Sequence, residues 1–448
     1  MKNLLSPIAT ILLYILCCIN IAAHDFEADG FYYNIISNDD NLVEVTYRGN
    51  TALEYLDEYY DNITIPDNVE FDGSVYTVTS LSDSAFYHCV NITSTTIPQG
   101  ITSIGDASYE GCSALCTVNY NATRCNTGAY VFAQCNKLST INIGNNVKSI
   151  PGGIFSGCRG VTEVTIPDNV MTIGNGAFSG CTKMQKLTIG NGTTSIGLYA
   201  FKDCTALQDI TLGNKVTTIN RSTFENCSAL THISLPNRVS TIDESAFKDC
   251  CSLRHIDIPN SVIEMGQYAF AGCASLDSII IPSRITRIEL GTFKGCSTLS
   301  SIVIPENITK IGNYAFGDCT GLKEINSQAV NPPTISPETF YKIDRNIPLY
   351  VPSESVALYQ SAAYWSEFNN ITEYQSGVVG INTNNPISIT INNGTLNIDG
   401  CVPNAVVNIF TPNGTLLHSL KESLATGIAL PRGIYLVQVG STIEKVVF

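Results

Sequence analysis

The chain has 448 residues, of which 44% are hydrophobic and 14% charged, and its formal net charge is −15. This length exceeds what one compact core accommodates, so we expect either several domains or a repeat array. The apolar fraction argues against a disordered chain. The acidic balance argues against nucleic-acid binding, because phosphate contacts require a basic surface.

The first 23 residues predict a secretory signal peptide. Lys2 precedes an apolar run from Leu4 to Ile19, and the small residues Ala22 and Ala23 follow. This order of charge, apolar run and small residues is typical of a cleaved export signal. We expect cleavage near Ala23, a secreted or outer-cell-surface location, and no transmembrane segment in the mature chain.

A 23-residue period governs residues 80–326. Each repeat has an aromatic residue followed three positions later by cysteine, and the spacing never varies. The eleven pairs are Phe86/Cys89, Tyr109/Cys112, Phe132/Cys135, Phe155/Cys158, Phe178/Cys181, Phe201/Cys204, Phe224/Cys227, Phe247/Cys250, Phe270/Cys273, Phe293/Cys296 and Phe316/Cys319. A constant period predicts a solenoid of eleven coils, in which neighbouring coils share one apolar core.

Between the anchors, each coil reads approximately C-x-x-L-x-x-I-x-I-P-x-x-V-x-x-I-G-x-x-A-F. The stretch DITLG at 209–213 alternates polar and apolar residues and therefore predicts a short strand. Proline or glycine after the strand favours its end. The later apolar positions then belong to the return path of the coil.

This pattern resembles the BspA-like class of leucine-rich repeats, through its L-x-x-I-x-I, A-F-x-x-C and I-P-x-x-V-x-x-I-G elements. The resemblance implies a leucine-rich repeat solenoid with short parallel strands, in a non-enzymatic surface protein that mediates adhesion. Residues 24–79 resemble the β-rich N-terminal cap of such proteins, and residues 327–375 resemble their C-terminal cap. In the second cap we expect a helix after Ser353 that buries Val356, Tyr359 and Trp365.

Residues 376–448 predict about seven short strands and a small β-sandwich. Pro412-Asn413-Gly414 is a hairpin-turn signal. The end of the chain resembles the C-terminal sorting domain of type IX secretion substrates in Bacteroidetes, although Phe448 departs from the usual basic or aliphatic end. The matching residues are Gly433, Tyr435, Val437, Val439, Lys445 and Val446. The alternative is a purely structural sandwich attached to the solenoid.

The eleven periodic cysteines predict a column of buried thiols. Disulfides between successive coils are disfavoured because the Cβ vectors of stacked coils run parallel, and because an odd, uniform column has no natural pairing. Cys116 and Cys125 stand off this period and flank the least regular coil, so they are candidates for a local disulfide. Paired C-x-x-C spacing for zinc is absent from the sequence.

No hydrolase, metalloprotease or phosphate-loop motif occurs in the sequence. The glycines of GNGAFSG at 174–180 look like those of a phosphate loop. Because Gly174, Ala177 and Phe178 of this stretch are repeat positions, the repeat explains it. His232 and His255 are one period apart, and Asp209 precedes His232 by one period. Such a column could hold a metal ion or begin acid–base chemistry. The alternatives are a metal-assisted hydrolase using these three residues and a solvated column without any ligand.

The central outward position of each strand forms a stripe that we call the strand face. It is polar at first and becomes apolar toward the last coils: Thr165, Thr188, Thr211, Ser234, Asp257, Ile280 and Val303. Either strand propensity alone explains it, or it is a binding face with His232 and His255 beside it.

We expect an extracellular protein or glycan as partner, such as a host matrix component, with no cofactor, resident metal or catalytic residue. A structural surface spacer is the remaining alternative.

Overall fold

The computed structural model describes residues 24–55 and 58–373, and in the C-terminal region 388–392, 395–399, 406–410, 416–421, 428–429, 434–439 and 442–447. The predicted signal peptide and its cleavage point lie outside the described residues. The chain divides into two compact units, Met1–Cys204 and Thr205–Phe448, and their boundary falls within the predicted repeat region. Each unit is described by itself below.

The first unit begins with a mixed sheet. Strands β1 (Phe26–Ala28), β2 (Phe31–Ser37) and β3 (Leu42–Thr46) pair antiparallel in order. Strand β3 continues parallel to β6 (Ser74–Leu81), and β5 (Asn68–Phe71) forms a hairpin with β6. The hydroxyl of Tyr59 donates to the carbonyl of Thr46 at 2.8 Å and ties this sheet together. Strand β4 (Tyr60–Thr64) lies outside this sheet and pairs in parallel with the strand at Asn91–Ile97.

The rest of the first unit consists of stacked coils, each with one longer and one shorter strand. The longer strands are β7 (Asn91–Ile97), β9 (Thr117–Tyr120), β11 (Thr140–Ile143), β13 (Glu163–Ile166) and β15 (Lys186–Ile189). The shorter ones are β8 (Ser103–Ile104), β10 (Asn126–Thr127), β12 (Ser149–Ile150), β14 (Thr172–Ile173) and β16 (Ser195–Ile196). Neighbouring coils pair in parallel, with Thr165 opposite Thr188. This register of 23 residues confirms the predicted solenoid.

The second unit repeats this design. The longer strands are β17 (Asp209–Thr211), β19 (His232–Ser234), β21 (His255–Asp257), β24 (Ser301–Ile304) and β26 (Glu324–Ser327). The shorter ones are β18 (Thr218–Ile219), β20 (Thr241–Ile242), β22 (Glu264–Met265), β23 (Arg287–Ile288) and β25 (Lys310–Ile311). In the coil that contains Ile280, residues 276–282 carry no strand.

Aromatic rings stack through the core of each unit and form what we call the ring ladder. In the first unit, Phe155 stacks on Phe178 with ring centroids 5.4 Å apart. In the second unit, Phe247 stacks on Phe270 at 5.5 Å, with the ring planes 3° apart. These rings are fully buried. The period therefore places the largest apolar group of each coil directly on its neighbour in the next coil.

The eleven periodic cysteines form a second column, the thiol ladder. All eleven are buried, as the sequence predicted. Most of these thiols donate to the backbone carbonyl of the aromatic residue one coil earlier, for example Cys112 to Phe86 at 3.1 Å and Cys250 to Phe224 at 3.1 Å. Cysteine thus fills a small buried space and adds a second donor to a carbonyl that already accepts from a backbone amide, as that of Phe86 does from Cys89.

We expect the thiol ladder to resist alkylation in the folded protein. Burial raises the pKa of Cys204 to about 12 and the pKa of Cys181 well above its usual value, so neither forms the reactive thiolate. N-ethylmaleimide followed by peptide mass spectrometry should modify the exposed Cys116 and Cys251 within minutes, at pH 7 and at about pH 9. The ladder should react only in denaturant. Labelling of ladder cysteines at the rate of Cys251 would contradict the arrangement.

Two backbone positions in every coil adopt left-handed conformations. One lies two residues before the ladder ring, as at Tyr268 with φ 56°, and the other directly precedes the ladder cysteine. Glycine occupies the second position in several coils, such as Gly272, and aspartate occupies it in others, such as Asp249 with φ 59°. Aspartate tolerates this region better than most residues. These turns close each coil.

The C-terminal cap continues the stacking beyond the eleven coils. Strands β27 (Pro348–Val351) and β28 (Asn370–Glu373) extend the β24–β26 sheet in parallel. Phe340 joins the ring ladder on Phe316 at 5.4 Å, although it lies 24 residues after Phe316. That single-residue shift removes Phe340 from the strict period.

The predicted helix after Ser353 is present. A 3₁₀ turn (Ser353–Ser355) leads into α1 (Val356–Ser361), and a second 3₁₀ turn covers Trp365–Glu367. Tyr359 and Trp365 are buried as expected, whereas Val356 is only half-buried. The indole nitrogen of Trp365 donates to the carbonyl of Pro333 at 2.8 Å. Together these residues cover the last coils of the unit.

The C-terminal strands match the predicted ones. One antiparallel sheet has the order β29-β30-β33 and another β32-β31-β34-β35. The strands are β29 (Ser388–Asn392), β30 (Thr395–Asp399), β31 (Val406–Phe410), β32 (Leu416–Lys421), β33 (Ile428–Ala429), β34 (Ile434–Val439) and β35 (Thr442–Val447). The predicted turn at 412–414 and Gly433 lie outside the described residues, although β31 and β32 pair as a hairpin requires. Face-to-face packing as a sandwich stays a prediction.

Across the described residues, no helix is both long enough and apolar enough to span a membrane.

Candidate functional site on the strand face

In the first unit, the strand face is polar. Thr165 is exposed and Thr188 half-buried, and both lie between inward residues that are buried. Nearer the N-terminus the face is hydrogen-bonded along its length. The amide of Asn142 donates to Asn119 at 2.8 Å, and Asn119 donates to Thr96 at 3.1 Å. In this part of the stripe, neighbouring polar side chains therefore hydrogen-bond to one another.

In the second unit, the strand face changes character along the coils. Thr211 and Ser234 are exposed, and Asp257 and Val303 are half-buried. Ile280 is 44% exposed, while its neighbours Ile279 and Ile281 are buried. The predicted outward positions thus do face solvent, and Ile280 presents a large apolar side chain there.

Beside this stripe, two imidazoles stack on adjacent strands. Strand β19 pairs with β21 so that His232 lies opposite His255 and Ser234 lies opposite Asp257. The two rings are 5.5 Å apart and within 10° of parallel. Because side chains alternate along a strand, His255 and Asp257 share one face. The parallel register and the alternation of side chains therefore place His232 beside His255 in one row, and Ser234 beside Asp257 in the next.

The carboxylate of Asp257 is the centre of this group. Its Oδ1 accepts from Nε2 of His255 at 2.9 Å, and its Oδ2 accepts from Oγ of Ser234 at 2.6 Å. Nε2 of His232 lies 3.4 Å from the same Oδ2. An ionised carboxylate only accepts hydrogen bonds, so it sets the tautomer of each imidazole. The ring nitrogens that face Asp257 are therefore Nε2–H groups.

Two opposing effects act on the pKa of Asp257. Partial burial alone would raise it, but the hydrogen bonds from Ser234, His255 and His232 favour the charged form and hold the pKa below its usual value. The carboxylate therefore remains a strong acceptor at neutral pH.

The structure groups a different set of candidate metal ligands from the set that the sequence predicted. Within the described part of the chain, the ligand atoms of His232, His255 and Asp257 lie within 4.8 Å of one another, and Asp209 is not part of this group. Asp209 is exposed at the start of β17. The two histidines of the predicted column therefore lie together with Asp257, and Asp209 does not join them. The sequence feature that could have identified Asp257 is its position two residues after His255, because residues two apart in a strand share one face.

The predicted disulfide is not formed, since Cys116 and Cys125 are both free. Cys116 is exposed and donates to the carbonyl of Ala114, whereas Cys125 is buried and donates to that of Asn126. Each residue adjoins a strand of a different sheet, β9 for Cys116 and β10 for Cys125. Closeness in the sequence therefore does not bring the two thiols together.

The family of the chain follows from its repeats. The model of the BspA type leucine rich repeat region matches in several overlapping copies, among them residues 49–162, 79–205, 148–276, 222–347 and 263–384. The chain belongs to the BspA-type leucine-rich repeat family. A search among curated proteins finds no match.

Solved structures resemble this BspA-type protein. A leucine-rich repeat protein from Bacteroides ovatus is 28% identical with a TM-score of 0.53, over 75% of this chain and 80% of that one. A leucine-rich cell surface protein from Faecalibacterium prausnitzii is 26% identical with a TM-score of 0.41, over 78% of this chain and 95% of that one. The first likeness supports the solenoid fold of the BspA-type protein.

Proposed function

We propose that this BspA-type protein is exported, is displayed at or released from the cell surface, and binds an extracellular protein or glycan through its strand face without catalysing a reaction. Membership of the family favours a binding or adhesion role. The signal-like N-terminus and the resemblance of residues 430–448 to a type IX sorting domain support the export route.

One observation supports the binding face most directly, and this is the exposure of Ile280. A large apolar side chain that is 44% exposed gains free energy when a partner covers it. It lies between the polar positions of Ser234 and Asp257 on one side and half-buried Val303 on the other. An apolar centre with polar surroundings is the usual anatomy of a protein–protein contact.

The experiment replaces both apolar positions with Asp, as Ile280→Asp/Val303→Asp. Binding of the full chain is measured by biolayer interferometry on immobilised fibronectin, laminin and mucin. We expect at least a tenfold loss of affinity on whichever surface the unaltered chain binds, because a charge would be buried where an apolar anchor sat. Thermal unfolding should change little, since Ile280 is exposed and the half-buried Val303 also lies on the outward side of its strand.

The matched control is Ile263→Asp. Ile263 is 49% exposed and directly precedes β22, on the short-strand side of the coils. It changes the same residue type at the same exposure away from the strand face and should leave binding intact. Equal binding by the double variant and the unaltered chain would favour the structural-spacer alternative.

A further inference from the structure

We propose that His232, His255 and Asp257 form a binding site for one divalent metal ion of the zinc class on the strand face. The site is independent of the proposed partner binding, and either can be wrong without the other.

The distances fit such an ion. Zinc binds imidazole nitrogen at about 2.0–2.1 Å and carboxylate oxygen at about 2.0–2.2 Å, so two ligands at a tetrahedral angle lie roughly 3.3 Å apart. Nε2 of His232 is 3.4 Å from Oδ2 of Asp257, and Nε2 of His255 is 2.9 Å from Oδ1. The ion would replace the protons that now bridge these atoms, and the three ligand atoms, which lie within 4.8 Å of one another, would move closer together around it.

The surroundings hold the ligands in place. Strand pairing fixes both histidines at opposite register positions. The hydroxyl of Ser234 donates to Asp257 at 2.6 Å, which orients the carboxylate toward the rings. Hydrogen bonds of this kind, from a neighbour to a ligand, strengthen metal binding in proteins by orienting the ligand.

The ligand chemistry selects the class of ion. Two imidazoles and one carboxylate suit zinc, nickel and copper, whereas calcium and magnesium prefer sites built from oxygen alone. Three protein ligands leave a tetrahedral ion with one open position, which water or a group of a partner would fill. We therefore expect a clear preference for Zn²⁺ over Ca²⁺ and Mg²⁺.

The test is isothermal titration of untagged full-length protein with ZnCl₂. The exposed Cys116 and Cys251 are first blocked with N-ethylmaleimide, because thiolates also bind zinc. We expect one saturable site with a Kd below about 10 µM, roughly 7 kcal/mol of binding free energy. CaCl₂ and MgCl₂ should give no saturable heat at the same concentrations.

Variants separate this site from the arrangement predicted by the sequence. His255→Ala and Asp257→Asn should each weaken zinc binding at least tenfold, and Ser234→Ala should weaken it less. The matched control Asp209→Asn removes a carboxylate one period before His232 and should bind zinc as the unaltered chain does. In zinc-soaked crystals, an anomalous peak should lie between Nε2 of His232, Nε2 of His255 and the Asp257 carboxylate.

Absence of saturable binding would overturn the proposal. Binding that Asp257→Asn and His255→Ala leave unchanged would overturn it as well, because the ion would then sit elsewhere. Loss of binding in Asp209→Asn with retention in Asp257→Asn would restore the carboxylate assignment made from the sequence. Circular dichroism of each variant separates loss of ligands from loss of folding.

Discussion

Replacing Phe247 with Ala should destabilise the second unit by about 3–5 kcal/mol. The ring is fully buried and stacks on Phe224 at 5.6 Å and on Phe270 at 5.5 Å. Its removal leaves a cavity and deprives two neighbouring rings of their contacts, each worth about 0.5–1.5 kcal/mol. Trp365 is the single tryptophan of the chain and lies in the same unit. Urea unfolding followed by its fluorescence measures the loss.

Two variants serve as controls for the Phe247 result. Phe247→Leu keeps most of the apolar volume and should cost less than about half as much. Tyr341→Ala removes an exposed ring that meets Tyr314 edge-on at 5.7 Å and should cost only about 0.5–1.5 kcal/mol. If Phe247→Ala costs no more than Tyr341→Ala, the rings do not hold the coils together.

Replacing Trp365 with Ala should open the C-terminal end of the second unit at a cost of about 3–5 kcal/mol. The indole packs against Phe340 at 5.4 Å and Tyr359 at 5.2 Å. Its loss also leaves the carbonyl of Pro333 without its donor. Because repeat proteins are stabilised by contacts between neighbouring coils, the end coils should open first. Hydrogen exchange read by mass spectrometry should show β27 and β28 losing protection before β19 and β21.

Trp365→Phe tests the two contributions separately. The phenyl ring keeps much of the packing but cannot donate to Pro333, so about 1–2 kcal/mol should be lost. Leu358→Ala alters an exposed side chain of α1 and should leave the exchange pattern unchanged. Uniform loss of protection over all strands of the unit in Trp365→Ala would show that residues 327–373 do not act as a cap.

The repeat period was sufficient to predict most of the fold. A spacing of 23 residues between Phe155 and Phe178 requires equivalent positions in successive coils, and stacking follows because one coil cannot bury its own apolar residues. Inward and outward positions then follow from the two-residue alternation of strands. The buried thiols followed from the same argument. The helix after Ser353 and its buried Tyr359 and Trp365 were also predicted, through the family resemblance.

Where the spacing changes, the sequence was insufficient. Phe340 lies 24 residues after Phe316, so the strict period missed it, yet its ring stacks in the same ladder. A loop absorbs the extra residue while the core position stays the same. Packing tolerates a change in loop length more readily than a gap between rings.

The sequence by itself determined which residues lie inside the coils and which face outward, because covalent spacing and strand alternation are local properties of the chain. Only the tertiary structure decided which outward groups meet. Asp257, not Asp209, reaches the two imidazoles, and Cys116 and Cys125 adjoin strands of different sheets. The reason is that a contact between side chains depends on their directions across neighbouring coils, which the spacing along the chain does not specify.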